Sequence, residues 1–105
     1  MWIFLSDAFL SIVADRDAPD QLLVRARFRG DVERVFPEAV VVEGAGTDYA
    51  FRARVTRERV AQVLAQRAAS IAATNFKDSV EAPWRHDAYL DVWAAMARAG
   101  RRHGR

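Results

Sequence analysis

The chain reads as an α+β domain: a four-stranded, mostly antiparallel sheet with its helices on one face, in the order ββαββα(α). Three observations predict it. Val24-Arg25-Ala26-Arg27-Phe28 and Phe51-Arg52-Ala53-Arg54-Val55 share an alternation that belongs to a strand with one apolar and one solvated face. Each is followed by apolar residues at helical spacing, Val32, Val35 and Phe36 after the first and Val60, Val63 and Leu64 after the second. Clusters of Asp, Gly and Pro separate the apolar runs, as turns do.

Taken in order, Met1 to Ala14 is rich in Ile, Leu, Phe and Val and reads as one strand, with Ser6-Asp7-Ala8 a bulge or bend within it. Asp15 to Asp20 is a turn containing Pro19, and Gln21 to Arg29 returns as the second strand of a hairpin. Gly30 releases the backbone, Asp31 is the expected N-cap of a short helix, and Pro37 stops that helix. Ala39 to Val42 is a third strand, Glu43 to Asp48 a glycine-containing turn, and Tyr49 to Val55 a fourth strand. Thr56 caps a longer helix whose apolar face reads Val60, Val63, Leu64, Ala68 and Ile71. The two strand–strand–helix halves align Arg25 with Arg52 and Arg27 with Arg54, a match that either an internal duplication or chance with shared strand-to-helix physics produces. Asn75 to Trp84 lacks periodicity and reads as a loop. Pro83 then opens a last helix, Arg85 to Ala99, with Tyr89, Val92, Trp93 and Met96 as its apolar stripe.

Composition sets the outer bounds. With 105 residues and 51% hydrophobic content, one domain over residues 1–99 is expected, followed by a disordered basic tail over 100–105. The absence of cysteine excludes disulfides and thiolate chemistry. The formal charge is only +2, and the arginine excess sits largely in Arg98, Arg101, Arg102 and Arg105, so the charge argument for nucleic acid is thin. The apolar start lacks a basic region before it and a cleavage site after it, and no run reaches the length of a membrane span. A soluble cytoplasmic protein with no membrane partner is expected.

Two groups of residues carry chemistry. The first is the arginine face, Arg25 and Arg27 with Arg52 and Arg54. It suits an anionic partner because guanidinium groups bind phosphate and carboxylate bidentately. Trp2 and Phe4 are the residues able to add stacking platforms. The competing expectation is that Asp7, Asp15, Glu43 and Asp48 neutralise these arginines across the sheet.

The second group lies in Asn75 to Tyr89, where Lys77, Asp78, Ser79, Arg85 and His86 are close in sequence. His86 near a helix N-terminus suits a neutral general base, and free amides there with Arg85 suit an anion. The competing expectation is that Asp78 and Ser79 serve a turn while Phe76 and Trp84 pin the loop. A Ser79–His86–Asp87 triad has no support beyond composition. With two histidines and no ligand spacing, no metal site is expected, and Gly44-Ala45-Gly46 lacks the lysine and helix of a phosphate loop, so no cofactor is implied.

Asn75-Phe76-Lys77-Asp78-Ser79-Val80, Arg85-His86-Asp87-Ala88-Tyr89 and the opening Met1-Trp2-Ile3-Phe4-Leu5-Ser6-Asp7-Ala8-Phe9 resemble a family of small bacterial proteins of uncharacterised function. That resemblance implies a free-standing protein and brings no activity, cofactor or partner. The functional expectation is therefore a non-enzymatic binding or regulatory module. It would act through the arginine face or the C-terminal helix, as a homodimer. The alternative is a small enzyme or anionic-ligand binder using Asn75 to Tyr89.

Overall fold

In the computed structural model the first apolar run is two strands rather than one. Ser6-Asp7-Ala8 reverses the chain, so β1 (Trp2–Phe4) folds back antiparallel on β2 (Phe9–Ala14). Among the described residues the sheet therefore has five strands, not four. The structure describes residues 1–44 and 47–104, and these fall into two compact units, one within 1–72 and one over 73–104.

In the first unit, β3 (Gln21–Ala26) pairs with β2, and β5 (Phe51–Thr56) pairs with β3. A two-residue edge strand, β4 (Val42–Glu43), completes the order β1-β2-β3-β5-β4, with all pairs antiparallel. The expected strand Ala39–Val42 is thus shorter and later. Ala39 continues the turn after α1 by donating its N–H to the Phe36 carbonyl at 3.0 Å. A very short edge strand gives little template for a foreign strand. Part of the expected Glu43–Asp48 turn lies outside the described residues.

Period-two alternation places Leu10, Ile12, Val24, Ala26, Phe51, Ala53 and Val55 on one face. Against them pack Val32, Val35 and Phe36 from α1 (Asp31–Val35) and its end, and Val60 and Val63 from α2 (Arg57–Ala69). Burying a side chain such as Phe36, fully enclosed here, contributes about 1.5–3 kcal/mol. A helix of five residues cannot hold itself and survives on such packing.

Helix starts obey local chemistry with one correction. Thr56 caps α2 as expected, its hydroxyl accepting from the Arg59 N–H at 3.1 Å. Asp31 does not cap α1. Gly30 takes that place at φ 91°, a left-handed backbone suited to glycine, and Asp31 becomes the first helical residue. Its wholly buried carboxylate accepts the Phe9 N–H at 2.9 Å and pairs with Arg34. At the other end, α2 stops at Ala69, so Ile71 lies beyond it with 74% of its surface exposed. Asp7 holds Arg67 through both carboxylate oxygens, at 2.8 and 3.2 Å, and so ties the β1–β2 turn to α2.

In the second unit, Lys77–Ser79 forms one 3-10 turn and α3 runs from Pro83 to His103, with proline in its first turn. The helix passes Gly100 and takes in residues expected to form a disordered tail. Phe76 stacks on Tyr89 with ring centroids 5.8 Å apart.

Candidate anion-binding sheet face

The ladder register builds a single row across all five strands. Trp2 lies opposite Ser11, Ser11 opposite Arg25, Arg25 opposite Arg52, and Arg52 opposite Val42. Residues opposite one another on antiparallel strands share a face, and this face is the one turned away from α1 and α2. Trp2 and Val42 close the row at its two edges, 69% and 63% exposed. Phe4 and Phe9, the next pair on the same face, stack with centroids 4.7 Å apart.

At its centre the row sets two like charges, Arg25 and Arg52, directly opposite, an arrangement that destabilises a sheet. What holds them is Tyr49. The guanidinium carbons of Arg25 and Arg27 lie 4.6 and 4.4 Å from its ring centroid. Such cation–π contacts stabilise by about 0.5–2 kcal/mol each. Arg52 donates from Nε to the Tyr49 carbonyl at 3.3 Å, and Arg27 from Nη1 to the Asp48 carbonyl at 3.1 Å. Arg25 donates from Nη2 to the Ser11 hydroxyl at 2.7 Å, while its Nε is buried with no partner among the described residues. The unpaired Nε costs about 1–3 kcal/mol, which the stack on Tyr49 and the bond to Ser11 offset in part.

Among the described residues no carboxylate pairs with Arg25, Arg27 or Arg52. Of the four acids expected to neutralise the face, only Asp15 does so, holding the Arg54 Nε at 2.5 Å. Asp7 is committed to Arg67, Glu43 to Arg29 at 2.9 Å, and Asp48 offers Arg27 its carbonyl. Arg54 therefore leaves the candidate set. The Asp17 amide, 3.0 Å from Asp15, holds the Asp15 carboxyl below its usual range; partial burial opposes this and Arg54 reinforces it.

The Asn75–Tyr89 residues make mainly local contacts. Ser79 donates its hydroxyl to the Phe76 carbonyl at 2.5 Å, and Asn75 accepts the Lys77 N–H at 3.1 Å, both turn contacts. Lys77 and Asp78 stand on that exposed turn. His86 Nδ1 lies 3.9 Å from Asp87, beyond hydrogen-bond distance, so no triad forms among these atoms. Arg85 is 2% exposed, its guanidinium 4.6 Å from the Trp84 ring centroid and 3.3 Å from the Tyr89 hydroxyl. It is closed to a solvent ligand.

A cleft of about 270 Å³ between α1 and α2 is walled by Arg34, Arg59 and Arg67. All three are already paired, with Asp31, Glu38 and Asp7. Arg59, 2.6 Å from Glu38, is the main cause of that carboxyl's lowered pKa. Among the described residues no group of three acidic or histidine side chains is arranged to hold a metal, and no helix is long and apolar enough to cross a membrane.

Tyr49 and Ser11 are the site residues that sequence reasoning missed. Tyr49 is in phase with Phe51 and Ala53 and reads as one more core position of the fourth strand, although β5 begins only at Phe51, and Ser11 reads as one polar position in an apolar strand. Their roles arise from strand adjacency. Comparison with protein-family models, curated proteins and solved structures finds no match for this chain.

Proposed function

We propose that this protein is a non-enzymatic binding module that takes an anionic macromolecule on the sheet face carrying Arg25, Arg27 and Arg52. The observation that supports this is the gathering of three guanidinium groups around Tyr49 without a carboxylate partner among the described residues. Ordinary ion-pair packing does not explain it, since the same fold pairs Arg29, Arg34, Arg54, Arg59 and Arg67 with acids. Holding Arg25 and Arg27 against a ring also reduces the side-chain entropy lost when an anion docks.

The test is retention on a heparin column. Wild type is retained, and Arg25→Ala with Arg52→Ala elutes with unrelated proteins of similar charge. The double variant stays folded, because removal of the opposed like charges offsets part of the loss of the contacts to Tyr49 and Ser11. Retention unchanged by the two substitutions, or no retention of wild type, removes the reading. A second reading concerns self-association: α3 exposes Val92, Trp93 and Met96, at 39%, 69% and 67%, along one stripe, which favours a homodimer through that helix.

A further inference from the structure

The composition of the row narrows the class of partner. An anion-binding face built for inorganic phosphate or an acidic peptide needs cations only. This one also carries an indole with 69% of its surface exposed, on the same face and in the same transverse register as Arg25 and Arg52. A tryptophan so exposed adds nothing to the core, and its backbone is fixed: Ile12 donates its N–H to the Met1 carbonyl at 2.8 Å, beside the Trp2–Ser11 pair. Neighbouring strands lie about 4.8 Å apart, so Trp2 stands about 10 Å from Arg25 and about 14 Å from Arg52 across the sheet. By strand spacing that span is within the length of one short strand of nucleic acid, which passes over Ser11, 1% exposed between Trp2 and Arg25.

We infer that the ligand is a single-stranded nucleic acid lying across the strands, its phosphates on Arg25, Arg27 and Arg52 and a base stacked on Trp2. Each component has a physical reason. Guanidinium groups take phosphate oxygens bidentately. Every base has a π-face, so stacking on an aromatic ring binds without reading sequence. A duplex keeps its base faces inside the stack and gains nothing from Trp2. A peptide of aspartate and glutamate alone has no flat ring to place there.

This inference rests on the anion-binding reading above, and the experiment separates the two. The probe is a fluorescently labelled oligothymidylate of about 12 nucleotides, compared with an abasic strand of the same length, the matching duplex and polyglutamate. Trp2→Ala is expected to weaken oligothymidylate binding about 5- to 150-fold, the range for one lost base stack, while leaving heparin retention unchanged. Trp2→Tyr restores most of the affinity and Trp2→Leu does not. Arg25→Ala with Arg52→Ala reduces both, and flattens the dependence of log affinity on log salt by about 1.4.

Equal binding of the abasic strand, tighter binding of the duplex or of polyglutamate, or indifference to Trp2→Ala overturns the nucleic-acid inference while the anion-binding reading stands. Loss of heparin retention in wild type overturns both.

Discussion

Asp15 and Asp31 show how differently one residue type is used at the residue scale. Asp15 sits at the end of β2, accepts the Asp17 amide, and holds Arg54 at 2.5 Å. Its pKa is lowered in the folded chain from the ordinary 3.8. A depressed carboxylate contributes stability that is fully present above its ordinary pKa and is lost as pH falls through the lower folded value. Wild type therefore loses thermal stability below about pH 3.8, in part through Asp15. Asp15→Asn keeps an acceptor for the Asp17 amide but cannot titrate, so its melting temperature falls less between neutral and acidic buffer. Identical acid limbs in the two proteins remove Asp15 from the account. This ion pair was legible as a class, since acids near the arginine face were expected to neutralise it. Which of the four acids would do so was not, because a carboxylate's reach depends on the turn that carries it.

At the scale of elements, α1 depends on its junction more than on its own length. Gly30 supplies the left-handed entry at φ 91°, and Asp31 brings a fully buried carboxylate to the Phe9 N–H at the start of β2. The same carboxylate holds Arg34, which donates from Nε to the Asp7 carbonyl at 2.8 Å. Asp31→Ala leaves a buried amide and a guanidinium without their acceptor and is expected to cost about 2–4 kcal/mol in denaturant unfolding. Asp31→Asn, which keeps one acceptor, costs less. An effect under about 0.5 kcal/mol, the size of an ordinary surface change, contradicts this role. The existence of α1 was readable from Val32, Val35 and Phe36. The burial of Asp31 was not, because Asp just after Gly reads locally as a cap and only the neighbouring strand supplies a second amide.

For the whole molecule, the exposed stripe of α3 sets solution behaviour. If Val92, Trp93 and Met96 pair two copies, light scattering gives a mass near twice the 11.8 kDa chain, and Trp93→Glu returns it to 11.8 kDa. A monomeric wild type at micromolar concentration ends the dimer reading. The fold class was legible at this scale, because alternation and helical spacing are local properties of the chain. The strand count was not: Met1 to Ala14 is apolar throughout, and the reversal at Ser6-Asp7-Ala8 leaves no break in that composition.

By itself the sequence determined which side chains share a face of each strand, since a period of two leaves no freedom once a strand forms. It therefore determined that Arg25 and Arg27 leave the core together, as do Arg52 and Arg54. Only the tertiary structure decided that β3 and β5 are neighbours in a register that sets Arg25 opposite Arg52. The tertiary structure also brings Tyr49 under Arg25 and Arg27 and Asp15 to Arg54, and the pairing of β1 with β2 and β2 with β3 brings Trp2 into the same row. Strand order follows from contacts between distant segments, which no local pattern encodes, and it turned a repeated motif into one surface.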